Sequence, residues 1–257
     1  EPLEAQQPVD EVQAPRETVA SPTAGGVTVP EPLEARVINR YPHARDAFTQ
    51  GLLWHEGKLY ESTGLEGRST LRRVTLATGE VEQQIAMDPD IFAEGLARVG
   101  DELYQLTWHD GVAFVYDLAT FEKKREYRYE GEGWGLCYDG THLAMSDGSS
   151  RIVFRDPETF EVQRTIDVTK VGRPVRNLNE LECAGGMIYA NVWQRDEIVR
   201  IDPADGRVSA SIRVGGLLER TERVGTDVLN GIAALPDEGR FLITGKLWPA
   251  AYEVEFV

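Results

Sequence analysis

The chain has 257 residues, 41% of them hydrophobic and 27% charged, with a net charge of −16. That length allows one large all-β domain or two small ones, with a packed core beneath a polar surface. The acidity argues against nucleic acid and anionic membrane as partners, and no run approaches the roughly eighteen apolar residues of a membrane span.

Residues 1–34 are rich in Pro, Glu, Ala and Val, contain Gly25-Gly26 and show neither a strand nor a helix period. Such a segment buries too little apolar surface to offset its ordering entropy, so it reads as a flexible acidic leader. Through residue 35 it holds seven acids and one base, which places −6 of the net charge there and −10 in the remainder. The chain starts at Glu1, not Met, without a visible signal peptide. The leader therefore reads as part of a trimmed chain, a spacer from an envelope anchor or a remnant of export.

Beyond the leader, a Gly-Leu pair or its equivalent recurs at Gly51-Leu52, Gly95-Leu96, Gly135-Leu136, Glu180-Leu181 and Gly231-Ile232. Each is followed by a turn such as Gly100-Asp101 or Asp139-Gly140 and then by an apolar strand such as Leu103-Tyr104. A third run alternates, as in Val112-Ala113-Phe114-Val115-Tyr116, and side chains that alternate in polarity are the mark of a strand. Residues 35–257 thus divide into five units of roughly 45 residues, the length of a four-stranded propeller blade. The expected fold is all-β, a five-bladed β-propeller. Its last unit stops at a third strand, Tyr252–Phe256, and Ala35–Arg40 is expected to supply the missing fourth, closing the ring.

In a propeller blade the entrance of strand one and the loop after strand two share a rim. The residues just before each Gly-Leu position are Gln50, Glu94, Trp134, Asn179 and Asn230. The second strands end near Trp108, Trp193, Lys246 and Trp248. One mouth of the channel is therefore expected to gather four indoles, amides, a carboxylate and a lysine. A single tryptophan is as readily a packing residue, and a single Glu or Lys in a loop is ordinarily solvated. The case for a site rests on convergence of polar groups in an aromatic pocket.

Other chemistries find no support. His43, His55, His109 and His142 lack metal-ligand spacing, and neither a Gly-x-Ser-x-Gly elbow nor a phosphate-binding glycine loop is present. Cys137 and Cys183 form no metal motif and fall in predicted inner strands of adjacent units, where buried free thiols are the plain reading and a disulfide the alternative. No metal and no cofactor is expected.

Phe48-Thr49-Gln50-Gly51-Leu52, Glu94-Gly95-Leu96, Gly133-Trp134-Gly135-Leu136, Asn179-Glu180-Leu181, Asn191-Val192-Trp193, Leu229-Asn230-Gly231-Ile232 and Thr244-Gly245-Lys246-Leu247-Trp248 occur in this order. From about residue 35 to the C-terminus the chain resembles the plant and bacterial glutaminyl cyclases (glutamine cyclotransferases). The resemblance implies a five-bladed propeller that converts the N-terminal glutamine of peptides and proteins to pyroglutamate with release of ammonia, without a metal. It implies functional roles for Glu94, Asn179 and Lys246, with Phe48, Gln50, Trp108, Trp134, Trp193, Asn230 and Trp248 around the substrate. Together with the leader it also implies a monomer in the periplasm or secreted.

The chemistry suits those residue types. In cyclisation the substrate's α-amine attacks its own γ-carboxamide carbon, so holding the folded side chain is most of the task. Glu94 is expected to take a proton from the α-ammonium and return one to the departing ammonia, with Asn179 and Lys246 facing the oxyanion. Lys246 would lower the carboxyl's pKa while burial among indoles would raise it. Two rival readings are a metal-dependent propeller lactonase or hydrolase and a non-catalytic propeller that binds peptides.

Overall fold

Alternating apolar and polar residues between tight turns produce strands throughout. In the computed structural model, which describes residues 28–237 and 239–257, every helix or strand among the described residues is a β-strand. After β1 (Glu31–Pro42) comes a meander of β2 (Thr49–His55), β3 (Lys58–Thr63), β4 (Thr70–Thr75) and β5 (Glu80–Ala86). A second contains β6 (Ala93–Val99), β7 (Glu102–Thr107), β8 (Val112–Asp117) and β9 (Lys123–Arg128). The third contains β10 (Leu136–Tyr138), β11 (Leu143–Ser146), β12 (Arg151–Arg155) and β13 (Val162–Asp167).

A small hairpin that the sequence did not suggest, β14 (Thr169–Lys170) with β15 (Arg173–Pro174), leads to β16 (Leu178–Ala184), β17 (Met187–Val192), β18 (Glu197–Ile201) and β19 (Val208–Arg213). The chain ends with β20 (Leu229–Ala234), β21 (Arg240–Gly245) and β22 (Ala250–Phe256). Three meanders are four-stranded sheets, β14 and β15 form a two-stranded sheet of their own, and the other strands join into one eight-stranded sheet ordered β16-β17-β18-β19-β1-β22-β21-β20. The arrangement is a β-propeller. The inner strands β2, β6, β10, β16 and β20 touch in succession, with β20 returning to β2.

β1 pairs with the last strand as expected, antiparallel from Ala35↔Phe256 to Pro42↔Ala250. It starts earlier than Ala35, however. Glu31–Glu34 run parallel to β19, so the last four residues assigned to the leader belong to the strand. Residues 1–27 of that leader lie outside the described residues. The early start has no hydrophobic signature, because these side chains are mostly exposed. What holds them is the backbone edge of β19, helped by the ion pairs Glu31–Arg200 and Glu34–Arg213.

Apolar side chains fill the spaces between neighbouring sheets. Leu53, Leu71, Leu96 and Leu103 pack in one, and Tyr104, Leu106, Leu136 and Met145 in the next. Packing at the centre explains the recurring glycine. A Cβ on Gly51 would lie 2.4 Å from the Leu96 nitrogen, and one on Gly135 would lie 2.1 Å from the Asn179 carbonyl oxygen. The inner strands therefore meet backbone to backbone. The fourth copy has Glu180 instead, and its buried carboxylate accepts the N–H groups of Leu52 at 3.3 Å and Ile232 at 2.8 Å. Bulges in β2 and β20 sit at these places. Burial, with Glu182 adding to it, pushes the Glu180 carboxyl well above the usual range.

The two cysteines overturn the free-thiol reading. Cys137 on β10 and Cys183 on β16 form a disulfide between adjacent inner strands, with their Cα atoms 5.4 Å apart. The contact of β10 with β16 that brings these two residues together is a property of the ring, invisible to spacing alone.

Candidate active site

Four strand entrances deliver polar side chains to one end of the ring. Gln50 and Glu94 lie near the starts of β2 and β6, and Asn179 and Asn230 at the second positions of β16 and β20. Lys246 directly follows β21, Trp108 follows β7 and Trp193 follows β17, while Trp134 sits two residues before β10. A cavity of about 500 Å³ brings Phe48, Gln50, Glu94, Trp108, Trp134, Asn179, Trp193 and Lys246 together. Phe92, Glu132 and Asp227 also line it, although the sequence reading passed over them. Phe92 had a usable signal, since it precedes Glu94 by the same interval that separates Phe48 from Gln50.

Glu94 is buried, 4% exposed, and one of its oxygens accepts Gln50 Nε2 at 3.0 Å. Gln50 is oriented from behind by Asn230, whose Nδ2 donates to Gln50 Oε1 at 3.1 Å and to the Thr49 carbonyl at 3.0 Å. Asn230 is thus brought to the site but does not line the cavity. The second oxygen of Glu94 has no hydrogen-bond partner among the described residues. Burial pushes this carboxyl well above the usual range; Lys246 opposes the shift and Glu132 adds to it. Desolvation therefore wins the contest that the sequence left open.

Lys246 is equally buried, and its Nζ lies 4.7 Å from the centre of the Phe48 ring. Burial lowers its pKa while Glu94 and Asp227 raise it, and the lowering prevails. The lysine sits in a turn whose next residue, Leu247, has φ of 61° and donates its N–H to Ala47 O at 2.7 Å. Trp248 lies beneath this turn. Its indole donates to the Asp227 carbonyl at 2.9 Å and packs with Leu229 and Tyr252, so it supports the lysine and does not line the cavity as expected. Gly245 permits that packing, since a Cβ there would come within 2.2 Å of the indole.

A second buried network braces the same turn. His43 Nδ1 bonds the Trp248 carbonyl at 2.8 Å, and Nε2 meets Glu61 Oε1 at 2.9 Å. Thr49, next to Gln50, donates to the same Glu61 oxygen at 2.7 Å. Nothing local in the sequence marks His43 for this role, because its partners come from another strand, at Glu61, and from a distant turn, at Trp248.

Asn179 is buried, and its Oδ1 has no partner among the described residues. An unpaired buried amide oxygen costs free energy unless a ligand satisfies it. Aromatic rings close the walls: Phe48 meets Phe92 at 6.1 Å, Phe92 meets Trp108 at 5.3 Å, and Trp134 meets Trp193 at 5.7 Å. The arrangement offers an elevated carboxyl, a depressed lysine and an orphan amide inside a largely apolar cavity. Such a set suits proton transfer to and from nitrogen beside a developing oxyanion.

The model of the glutamine cyclotransferase family matches residues 11–256. The chain is 44% identical over 228 residues to the glutaminyl-peptide cyclotransferase of Arabidopsis thaliana, a match covering 86% of this chain and 71% of that protein. It is similar to the crystal structure of Myxococcus xanthus glutaminyl cyclase, with a TM-score of 0.80 and 42% identity over 88% of this chain and 98% of the other. The β-propeller domain of Myceliophteria thermophila Cps50 (Swd1) shares the fold alone, at 10% identity and a TM-score of 0.51 over 86% of this chain and 99% of the other. With its ring of sheets, its buried Glu94, Asn179 and Lys246, and a family match over nearly its whole length, the chain belongs to the glutamine cyclotransferase family.

Proposed function

We propose that the chain is a glutaminyl-peptide cyclotransferase, an acyltransferase that closes the N-terminal glutamine of a peptide or protein into pyroglutamate and releases ammonia. The observation that carries the assignment to these residues is the buried Glu94 with one free oxygen, in the same cavity as Lys246 and the unpaired Asn179 amide. The α-ammonium of the substrate has a pKa of about 7.7–8.0, and burial raises the Glu94 carboxyl well above its usual range, which makes it a stronger base toward that ammonium than an exposed glutamate. Glu94 then takes the proton that frees the amine to attack. The new C–N bond forms at the γ-carbonyl carbon; Lys246 and the Nδ2 group of Asn179 donate to the oxygen that becomes negative, and the unpaired Asn179 Oδ1 accepts an N–H of the substrate. The carboxamide C–N bond breaks as Glu94 returns its proton to the nitrogen that leaves as ammonia, and the ring nitrogen gives its surplus hydrogen to the carboxylate so freed, so that one proton is released overall. The aromatic walls exclude water, which favours ring closure over hydrolysis. Nucleophile and leaving group belong to one molecule, so the reaction asks for no cofactor.

The closed succession of β2, β6, β10, β16 and β20 supports a count of five blades. In that reading the eight-stranded sheet is two blades, β16–β19 and β20–β22, bridged by β1. The catalytic propeller then extends from Glu31 to the C-terminus. The Cys137–Cys183 bond fits an oxidising compartment, which supports a periplasmic or secreted protein. No helix among the described residues is long and apolar enough to cross a membrane.

A metal-dependent hydrolase would need ligands converging on a cation. Among the described residues no group of three or more His, Cys, Asp or Glu is placed to hold one. Incubation with a glutamine-initiated dipeptide, following ammonia with and without EDTA, separates the readings. Release of ammonia unaffected by EDTA is expected. Absence of ammonia defeats the proposal, and activity lost with the chelator favours the metal-dependent hydrolase.

A further inference from the structure

The aromatic wall of the cavity has one joint that is not aromatic. Glu132, in the segment between β9 and β10, stands between Trp108 and Trp134. Its Oε2 accepts the Nε1–H of both indoles, each at 2.8 Å. Its Oε1 lies 3.7 Å from His109 Nδ1, and the side chain is 41% exposed. An indole N–H is a donor only, and two of them on one charged oxygen fix the planes of both rings. Without that oxygen the rings of Trp108 and Trp134 lose their common anchor.

Glu132 also sets the charge of the opening. Glu94 and Lys246 are buried in the cavity, and the other charged residues lining it are Glu132 and Asp227, both acidic. A glutamine held at Glu94, Asn179 and Lys246 must send the rest of its peptide out past these carboxylates. We propose that Glu132 positions the two indole walls and selects the residue that follows glutamine, favouring a basic side chain over an acidic one. The inference rests on the cyclotransferase reading above and names the peptide class within it.

The test compares wild type, Glu132→Gln and Glu132→Ala on glutaminyl-lysine amide, glutaminyl-alanine amide and glutaminyl-glutamate amide at low ionic strength. Wild type is expected to show kcat/KM about five- to tenfold higher for the lysine than for the glutamate peptide, the attraction of one half-exposed pair together with the repulsion of the other. Glu132→Gln keeps an acceptor for the indoles but loses the charge, so it removes most of that ratio and raises KM for the alanine peptide less than Glu132→Ala does. Acrylamide quenching of tryptophan fluorescence, measured without substrate, rises in Glu132→Ala and returns toward wild type in Glu132→Gln. A wild-type ratio near one, or a ratio that survives Glu132→Gln, overturns the selection. Quenching unchanged in Glu132→Ala overturns the positioning. A wild type that cyclises none of the peptides defeats the cyclotransferase reading instead, and the quenching measurement still decides whether Glu132 holds the rings.

Discussion

Gln50 hands its amide proton to Glu94 across 3.0 Å, while its own oxygen is held by Asn230. The amide therefore favours the charged form of a carboxyl that burial drives toward the neutral one. We predict that Gln50→Leu raises the pKa of Glu94 further, moving the acidic limb of the kcat profile to higher pH. An unmoved limb in that variant would separate Gln50 from the titration. Glu94→Gln is expected to lower kcat by about 10²- to 10⁴-fold with an unchanged melting temperature. Retention of most of kcat would remove Glu94 from the chemistry.

The Lys246 ammonium lies in the cavity over the Phe48 ring, without a hydrogen-bond or ion-pair partner among the described residues. A cation left unpaired in an apolar cavity is available to a developing oxyanion. Lys246→Ala is expected to lower kcat by about 10²- to 10³-fold with a smaller change in KM. Steady-state kinetics on a glutamine-initiated dipeptide gives both numbers, and an unaltered kcat would return the lysine to an electrostatic bystander.

The pair His43–Glu61 should give stability a maximum in pH. The imidazole's pKa is raised: burial, the largest influence, lowers it, but the Glu61 charge and hydrogen bond outweigh this. Its contribution is complete below the ordinary histidine value and fades as pH climbs through the raised one. The Glu61 carboxyl is lowered because His43, Thr49 and Arg72 outweigh its burial. Its contribution is complete above the ordinary carboxylate range and fades as pH falls through the lowered value. Melting temperature is therefore expected to peak between these two pKa values. His43→Gln should flatten the alkaline side and cost about 3–5 kcal/mol near neutrality, since it leaves a buried carboxylate unpaired. A melting profile with the same alkaline slope in both proteins would refute this.

The disulfide closes a loop with a sequence separation of 46 between Cys137 and Cys183. Chain entropy assigns such a closure about 4 kcal/mol of stability. The double replacement Cys137→Ser with Cys183→Ser is expected to lower the melting temperature by on the order of 10 °C in a domain of this size. Calorimetry under non-reducing conditions checks it, and an equal melting temperature would mean that the bond adds no stability.

Much of this architecture is written in the chain because one constraint repeats. Each Gly-Leu marks a place where two backbones must touch, so the glycine cannot drift and the period stays readable. The same period located Gln50, Glu94, Asn179 and Asn230 at one end. It could not tell lining from support, because Asn230 occupies a position equivalent to cavity residues and Trp248 stands only two residues beyond one, and spacing does not say which way the neighbouring strands turn them. His43 and the cysteine pair were illegible for another reason. Their roles depend on contacts between distant segments, and no local pattern encodes those. The first four residues of β1 carry no apolar alternation at all, since an edge supplied by another strand is what makes them extended.

The touching backbones at Gly51 and Gly135, with the Glu180 carboxylate laid across to Leu52 and Ile232, seal the middle of the ring. The cavity above is then a cul-de-sac, and ammonia and the finished lactam both retreat through the doorway that admitted the peptide. Occupancy becomes single file: the pyroglutamyl peptide should inhibit competitively against fresh substrate, and a noncompetitive pattern would mean that product and substrate can be held at separate places.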